Sequence, residues 1–233
     1  LTTASLSLRL AMIAPRLKAA TIGWQHNCYD GYLHVKPVVF WQQENLLQQY
    51  LPNLDRYIVL SDYDKRDYME KLGIDCEVKI NPRSFVSEKK CDVKSKRFLM
   101  ATRFVYAKGL DLMIESFEEF CKEDSEWELD IIGDGDLFDQ IRADAKKRHL
   151  EKRVHFVGYT NEPEKYYLNS SVFLLPSRWE GWPMVIMEAF EFGLPVIAFH
   201  TGAMDLIIDD GKTGYLPEAF DTKKFTDAML KLA

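Results

Sequence analysis

Between Ala20 and Phe199, short runs rich in apolar and β-branched residues alternate with longer stretches of helical periodicity. The short runs are Ala20–Trp24, Arg56–Leu60, Glu77–Ile80, Arg97–Ala101, Glu128–Ile132, Val154–Val157, Val172–Leu175 and Pro195–Phe199. Helical patterns lie between them at Pro37–Tyr50, Asp64–Leu72, Gly109–Glu123, Asp136–His149, Asn161–Asn169 and Pro183–Phe192. Strand–helix–strand repetition with buried, β-branched strands requires parallel sheets covered on both faces. The fold class is therefore α/β, with strand order left open.

A seam interrupts the alternation near residues 82–96. Asn81-Pro82-Arg83 breaks the preceding strand, and Ser87 to Lys96 is polar and charged, a composition that suits an interdomain linker. Residues 1–92 hold too few strands to close a doubly wound sheet, whereas residues 93–233 hold at least five and read as a domain able to stand alone. The chain begins at Leu1 without a methionine and stops at Lys231-Leu232-Ala233 inside a helical pattern, so it reads as a fragment cut at both ends. Leu8 to Lys18 reads as a helix packed on the first sheet, with contact to anionic lipid as the other use of its basic-apolar pattern.

Composition excludes several function classes. A net charge of −6 argues against general nucleic-acid binding. The four cysteines, Cys28, Cys76, Cys91 and Cys121, are far apart and form no CxxC pair, which favours free thiols over a disulfide or zinc site. No apolar run approaches the roughly 20 residues that span a bilayer, and the first residues lack the pattern of a signal peptide.

Two segments carry chemistry. In Ser177-Arg178-Trp179-Glu180-Gly181-Trp182-Pro183-Met184-Val185-Ile186-Met187-Glu188-Ala189-Phe190, Glu180 lies in a loop after a strand and Glu188 on the helix that follows. Pro183 suits a first helical turn and Gly193 a helix end. Two carboxylates separated by a turn of free amides suit a ligand carrying both hydroxyls and phosphate. Glu188, among Ile186, Met187, Ala189 and Phe190, calls for a dedicated partner. In the second segment Arg103 and Lys108 bracket a strand-to-helix loop, Arg103-Phe104-Val105-Tyr106-Ala107-Lys108-Gly109, at the carboxyl edge where open α/β sheets bind ligands. Two cations there suit a diphosphate held without a metal.

These segments, together with Ile132-Gly133-Asp134-Gly135, Phe156-Val157-Gly158-Tyr159, Gly193-Leu194-Pro195-Val196-Ile197-Ala198 and Gly211-Lys212-Thr213-Gly214-Tyr215, resemble the family 4 retaining glycosyltransferases. The resemblance runs in order through residues 97–220, and residues 20–81 resemble the second half of that family's N-terminal domain. It implies two Rossmann-like domains of the GT-B type: residues 1–92, partial and acceptor-side, and residues 93–233, which bind the donor. It implies that Arg103 and Lys108 neutralise a donor diphosphate and that Glu188 takes ribose hydroxyls. Glu180 would meet the transferred sugar, with backbone amides of Gly181, Trp182, Pro183–Met184 and Val185 around sugar and phosphate. The loop at Gly158 and Tyr159 would meet the base, and His26 matches a histidine reaching the donor sugar. No side chain is placed as a covalent nucleophile, as in that family, where retention is explained by front-face attack with a donor phosphate oxygen as base.

The pairs Asp62/Asp64 and Asp134/Asp136 mimic the metal-binding Asp-x-Asp triplet of another glycosyltransferase fold, but each stands at a helix start, where N-capping explains it better. No metal and no cofactor are expected. Trp182 and Asp205 stand where the family more often has Phe and Glu. The family's acceptor-side glycine loop and closing C-terminal helix have no counterpart here, so donor binding is expected more firmly than turnover. The expected activity is transfer of a hexose or acetamidohexose from a nucleotide diphosphate donor, UDP by family frequency, to a hydroxyl of a glycan or glycolipid. The expected setting is the cytoplasm, with peripheral contact at the inner face of the membrane. The rival functions are a nucleotide-sugar epimerase of the same fold and a noncatalytic partner of an active subunit. The joint presence of Arg103, Lys108, Glu180 and Glu188 argues against the second.

Overall fold

The computed structural model describes residues 2–3, 5–34, 43–84 and 86–233. By internal contacts the chain divides into two units: Leu1–Pro82 with Trp179–Trp182, and Arg83–Arg178 with Pro183–Ala233.

The first unit is built on a four-stranded parallel sheet in the order β1-β2-β3-β4, with β1 at Thr2–Thr3, β2 at Ile22–Trp24, β3 at Arg56–Val59 and β4 at Glu77–Val78. Helices α1 (Ser5–Ile13), α2 (Tyr29–Leu33), α3 (Glu44–Tyr50) and α4 (Asp62–Leu72) accompany it. Helix α1 and the turn after it turn Leu8, Ala11 and Ala14 inward at three-residue spacing, into a core with Leu33, Leu47, Val59 and Tyr68. Helix α4 has both of its ends fixed chemically. The Ser61 hydroxyl accepts the Asp64 amide at 3.1 Å, and Gly73, at φ +69°, supplies the left-handed residue that stops the helix.

The second unit is a six-stranded parallel sheet in the order β10-β9-β8-β5-β6-β7. Its strands are β5 (Arg97–Ala101), β6 (Glu128–Ile132), β7 (Val154–Gly158), β8 (Val172–Leu175), β9 (Val196–Ala198) and β10 (Gly214–Tyr215). Its helices are α5 (Leu110–Glu123), α6 (Phe138–Lys147), α7 (Glu164–Leu168), α8 (Met184–Glu191) and α9 (Thr222–Leu232). Successive strand residues serve opposite cores, which is why the strands read as unbroken apolar runs. Phe98, Met100, Leu129 and Ile131 meet Met113 and Phe117 of α5, Ile141 of α6 and Phe225 of α9. Leu99, Phe173 and Leu175 face the other way, against Tyr167 of α7 and Ile186 and Ala189 of α8. Each fully buried phenylalanine, Phe117 among them, contributes about 1.5–3 kcal/mol.

The charged stretch that reads as a linker is tied to this second unit. Arg83 and the Ser87 amide bond the Glu191 carboxylate at 3.2 and 2.9 Å, and the Lys90 ammonium caps the Glu191 carbonyl at the end of α8 at 2.7 Å. The amides of Cys91 and Asp92 donate to the Phe192 and Leu168 carbonyls.

The eight strands and six helices read from the alternation are present, and β1, α2 and β10 are elements it did not announce. Most elements start or stop one to three residues from the expected ends. The helix expected from Pro37 begins at Glu44, and its residues 37–42 lie outside the described ones. The capping expected of Asp62 and Asp64 falls instead to Ser61, and the two aspartates lie in the first turn of α4, where Asp64 is turned inward, its carboxylate accepting from the Tyr29 amide at 2.8 Å and the Ser61 hydroxyl at 2.6 Å. Asp134 and Asp136, by contrast, cap nothing. Helix α6 starts at Phe138 with no side-chain cap, because Asp134 spends its carboxylate on the Gly135 amide and its carbonyl on the Phe104 amide.

Candidate functional site

In the second unit, β5, β6 and β7 succeed one another in one direction across the sheet, and β8, β9 and β10 in the other. The switch point is therefore the β5–β8 pair, and the loops leaving these two strands flank the crevice where open parallel sheets take their ligands. Arg103 and Lys108 lie on the loop after β5, and Pro183, Met184 and Val185 at the start of the helix after β8. Gly158 and Tyr159 end β7 at the same carboxyl edge. The fold thus gathers at one edge residues spread over more than 80 positions of sequence.

The loop after β5 has little freedom. Gly109 adopts φ +63°, and a Cβ there would stand 2.0 Å from the Pro176 carbonyl oxygen. Arg178 grips the same turn from the loop after β8. Its guanidinium donates to both carboxylate oxygens of Asp111, at 2.8 and 2.6 Å, and to the Tyr106 carbonyl at 2.9 Å. It also lies 4.0 Å from the Tyr106 ring centroid, and the Arg178 amide bonds the Ala107 carbonyl. The Asp111 carboxyl is pulled upward by burial, but the Arg178 bonds and charge outweigh this and hold it below the ordinary carboxylate range. On this braced loop Lys108 is half-buried and Arg103 is exposed.

Helix α8 begins at Met184, with Pro183 at the cap position, one residue earlier than the first turn expected for it. No side chain caps this end, and the Ile186 amide donates to the Pro183 carbonyl at 3.1 Å. Gly193, at φ +81°, closes the helix as expected. Glu188 has the dedicated partner its apolar surroundings call for: the Tyr167 hydroxyl donates to its Oε2 at 2.9 Å.

Glu180, Gly181 and Trp182 group with the first unit, as does His26. Glu180 is buried. A Cβ on Gly181 would meet the His26 carbonyl oxygen at 2.6 Å, and one on Gly31 would meet the Trp179 ring at 2.2 Å, so both glycines are fixed by close approach. His26 follows β2, its ring 5.2 Å from that of Trp24, and burial lowers its pKa, favouring the neutral imidazole. The indole nitrogens of Trp24 and Trp182 are buried with no hydrogen-bond partner among the described residues. Burial pushes the Cys28 thiol up to about 12, with the charges of Asp64, Asp30 and Glu180 acting in the same sense and a Gly31 backbone bond opposing, so it is no nucleophile. Among the described residues no three His, Cys, Asp or Glu side chains gather as a metal-holding set.

Arg178 and Tyr167 carry weight that sequence reasoning did not assign. Arg178 sits inside the quoted motif, but its partner Asp111 is 67 positions away. For Tyr167 the signal was indirect, the need of Glu188 for a partner.

A model of the family "Glycosyl transferases group 1" matches residues 84–233. The amylovoran biosynthesis glycosyltransferase AmsD of Erwinia amylovora is 36% identical over 141 residues, 60% of this chain and 39% of that protein. The poly(ribitol-phosphate) alpha-N-acetylglucosaminyltransferase of Staphylococcus aureus is 29% identical over 203 residues, 83% of this chain and 40% of that one. Among solved structures, an S. aureus TarM mutant in complex with Fondaparinux, alpha-GlcNAc-glycerol and UDP superposes with a TM-score of 0.82 at 25% identity, over 92% of this chain and 44% of that one. The chain thus spans less than half the length of these relatives.

Proposed function

The chain belongs to the glycosyl transferases group 1 family, a GT-B glycosyltransferase by its structural neighbours, and we propose that it carries the donor site of a retaining, metal-independent family 4 enzyme moving a hexose or acetamidohexose from a UDP-linked donor to a hydroxyl of a glycan or glycolipid. The observation that carries this reading is the shared sheet edge. A braced loop there presents Arg103 and Lys108, and a helix with no side-chain cap carries Glu188, which the Tyr167 hydroxyl holds.

In this reading the two cations take the diphosphate and stabilise the charge that grows on it as the sugar leaves. The carboxylate of Glu188 accepts the ribose hydroxyls, and the loop at Gly158 and Tyr159 meets the base. Glu180 and His26 address the transferred sugar, with the amides of Gly181, Trp182, Met184 and Val185 around sugar and phosphate oxygens. The anomeric bond to the diphosphate breaks, the bond to the acceptor oxygen forms on the same face, and a donor phosphate oxygen takes the hydroxyl proton. Relatives whose names state transfer of N-acetylglucosamine to poly(ribitol-phosphate) and of galactose from UDP-Gal support the substrate class. The working location is the cytoplasm, at the inner face of the membrane. Leu6, Met12, Ile13 and Leu17 are exposed beside Arg9, Arg16 and Lys18, a pattern that suits an anionic lipid surface, and binding to phosphatidylglycerol but not phosphatidylcholine vesicles is expected. No helix among the described residues is long and apolar enough to cross a bilayer.

Calorimetric titration of the folded chain with UDP, GDP and ADP, in chelator and then in magnesium, tests the donor assignment. Binding of UDP alone, unchanged by magnesium, is expected. Binding that requires magnesium refutes the two-cation account, and preference for another nucleotide corrects the base.

A further inference from the structure

Tyr167 is nearly fully buried, and its ring lies in a stack. The Phe173 ring is 5.8 Å away at 14° and the Phe192 ring 5.2 Å away at 17°. These three rings come from α7, β8 and the residue after α8, so the phenol has no room to swing. Its hydroxyl donates to Glu188 Oε2 at 2.9 Å. Burial and the neighbouring carboxylate raise the phenol pKa well above its ordinary value, so the hydroxyl stays a donor throughout the physiological range. A carboxylate has about four acceptor positions and the phenol occupies one. The Glu188 Oε1 atom accepts no other bond among the described residues.

A glutamate on a helix surface samples several rotamers, and ordering it on binding costs affinity. Here one of its oxygens is held by a group locked in a stack of three rings while the other stays open. We propose that Tyr167 is a positioning residue that fixes the Glu188 carboxylate for a vicinal diol, and thereby sets the preference of the site for ribonucleotides over 2′-deoxyribonucleotides. This rests on the reading of Glu188 as the ribose contact.

The test is Tyr167→Phe, which keeps the ring stack and removes only the hydroxyl. Affinities for UDP and for 2′-deoxy-UDP are measured calorimetrically on the full chain. The wild type binds UDP more tightly than its deoxy analogue. The variant loses about ten-fold for UDP, the size of one hydrogen bond to a charged group, and less than about two-fold for 2′-deoxy-UDP, so the discrimination collapses. In a Glu188→Ala background the same substitution leaves UDP affinity within about two-fold, because the hydroxyl acts only through that carboxylate. Equal losses for both ligands, a wild-type ratio in Tyr167→Phe, or a full additional loss in the Glu188→Ala background overturns the proposal for Tyr167 and leaves Glu188 in place. A wild type that binds both ligands equally, or neither, overturns the ribose reading and this proposal with it.

Discussion

Arg178→Ala removes the brace on the loop that carries Lys108, and its cost can be worked from the contacts. The ion pair with Asp111 is bidentate, but the Asp111 side chain is 52% exposed against 12% for Arg178. Solvent screening therefore places the pair near the value for exposed pairs, about 0.5–1 kcal/mol, and well below that of a buried pair. The bond to the Tyr106 carbonyl adds about 1 kcal/mol. The guanidinium over the Tyr106 ring adds about 0.5–1 kcal/mol. The expected loss is about 2–3 kcal/mol in equilibrium urea denaturation of the transition that contains the second unit. Asp111→Asn removes only the ion pair and costs about 0.5–1 kcal/mol. Arg178→Lys falls between the two, since an ammonium cannot span both carboxylate oxygens and the carbonyl in one plane. The double-mutant cycle isolates the pair, with a coupling near the Asp111→Asn value. If Arg178→Ala costs less than about 0.5 kcal/mol, or no more than Asp111→Asn, the guanidinium does not hold the Tyr106 turn and the brace is refuted.

Gly109→Ala combines left-handed strain with a Cβ 2.0 Å from the Pro176 oxygen and is expected to cost about 3 kcal/mol or more, whereas Gly73→Ala, with open space around its Cβ, costs only about 1–2 kcal/mol of strain; equal losses would show that the close approach is relieved cheaply. Because the Asp111 pKa is depressed on folding, its ion pair contributes fully above the unfolded value of about 3.9 and is lost as pH falls through the lower folded value. The stability gap between wild type and Asp111→Asn should then be flat from about pH 8 to 5 and close below about pH 4, and a gap unchanged at pH 3 would exclude the pairing. Lys108→Ala should weaken UDP at least about ten-fold and uridine less than about two-fold; matched losses would remove Lys108 from the diphosphate.

Much of the second unit could be read from sequence because its strands are buried on both faces, so runs such as Phe98 to Met100 or Val172 to Leu175 stand out without any periodicity to resolve. Gly193 was legible because a helix end needs one specific piece of chemistry next to it, whereas at the start of α4 the neighbouring aspartates drew the capping role that Ser61 holds. Strands β1 and β10 are two residues each and are defined only by their partners, and α2 is little more than one turn, so none carries a local pattern. Asp134 misled because an aspartate before a helix has two uses, and the short-range one, bonding the next amide, was taken. The carboxylate and basic residues of the candidate site could be picked out one by one from their segments. What fixes them could not: Arg178 with Asp111 and Tyr167 with Glu188 are pairings made by strand order, which the alternation leaves open.

The central claim is that UDP sits on one particular sheet edge. Amide hydrogen exchange with and without saturating UDP locates it directly. Protection is predicted in the peptides covering residues 102–110, 158–160 and 183–188, with β10 and α9 unchanged. Protection confined to other peptides, with those three unaffected by a ligand that binds, would contradict the assignment of this edge as the donor site.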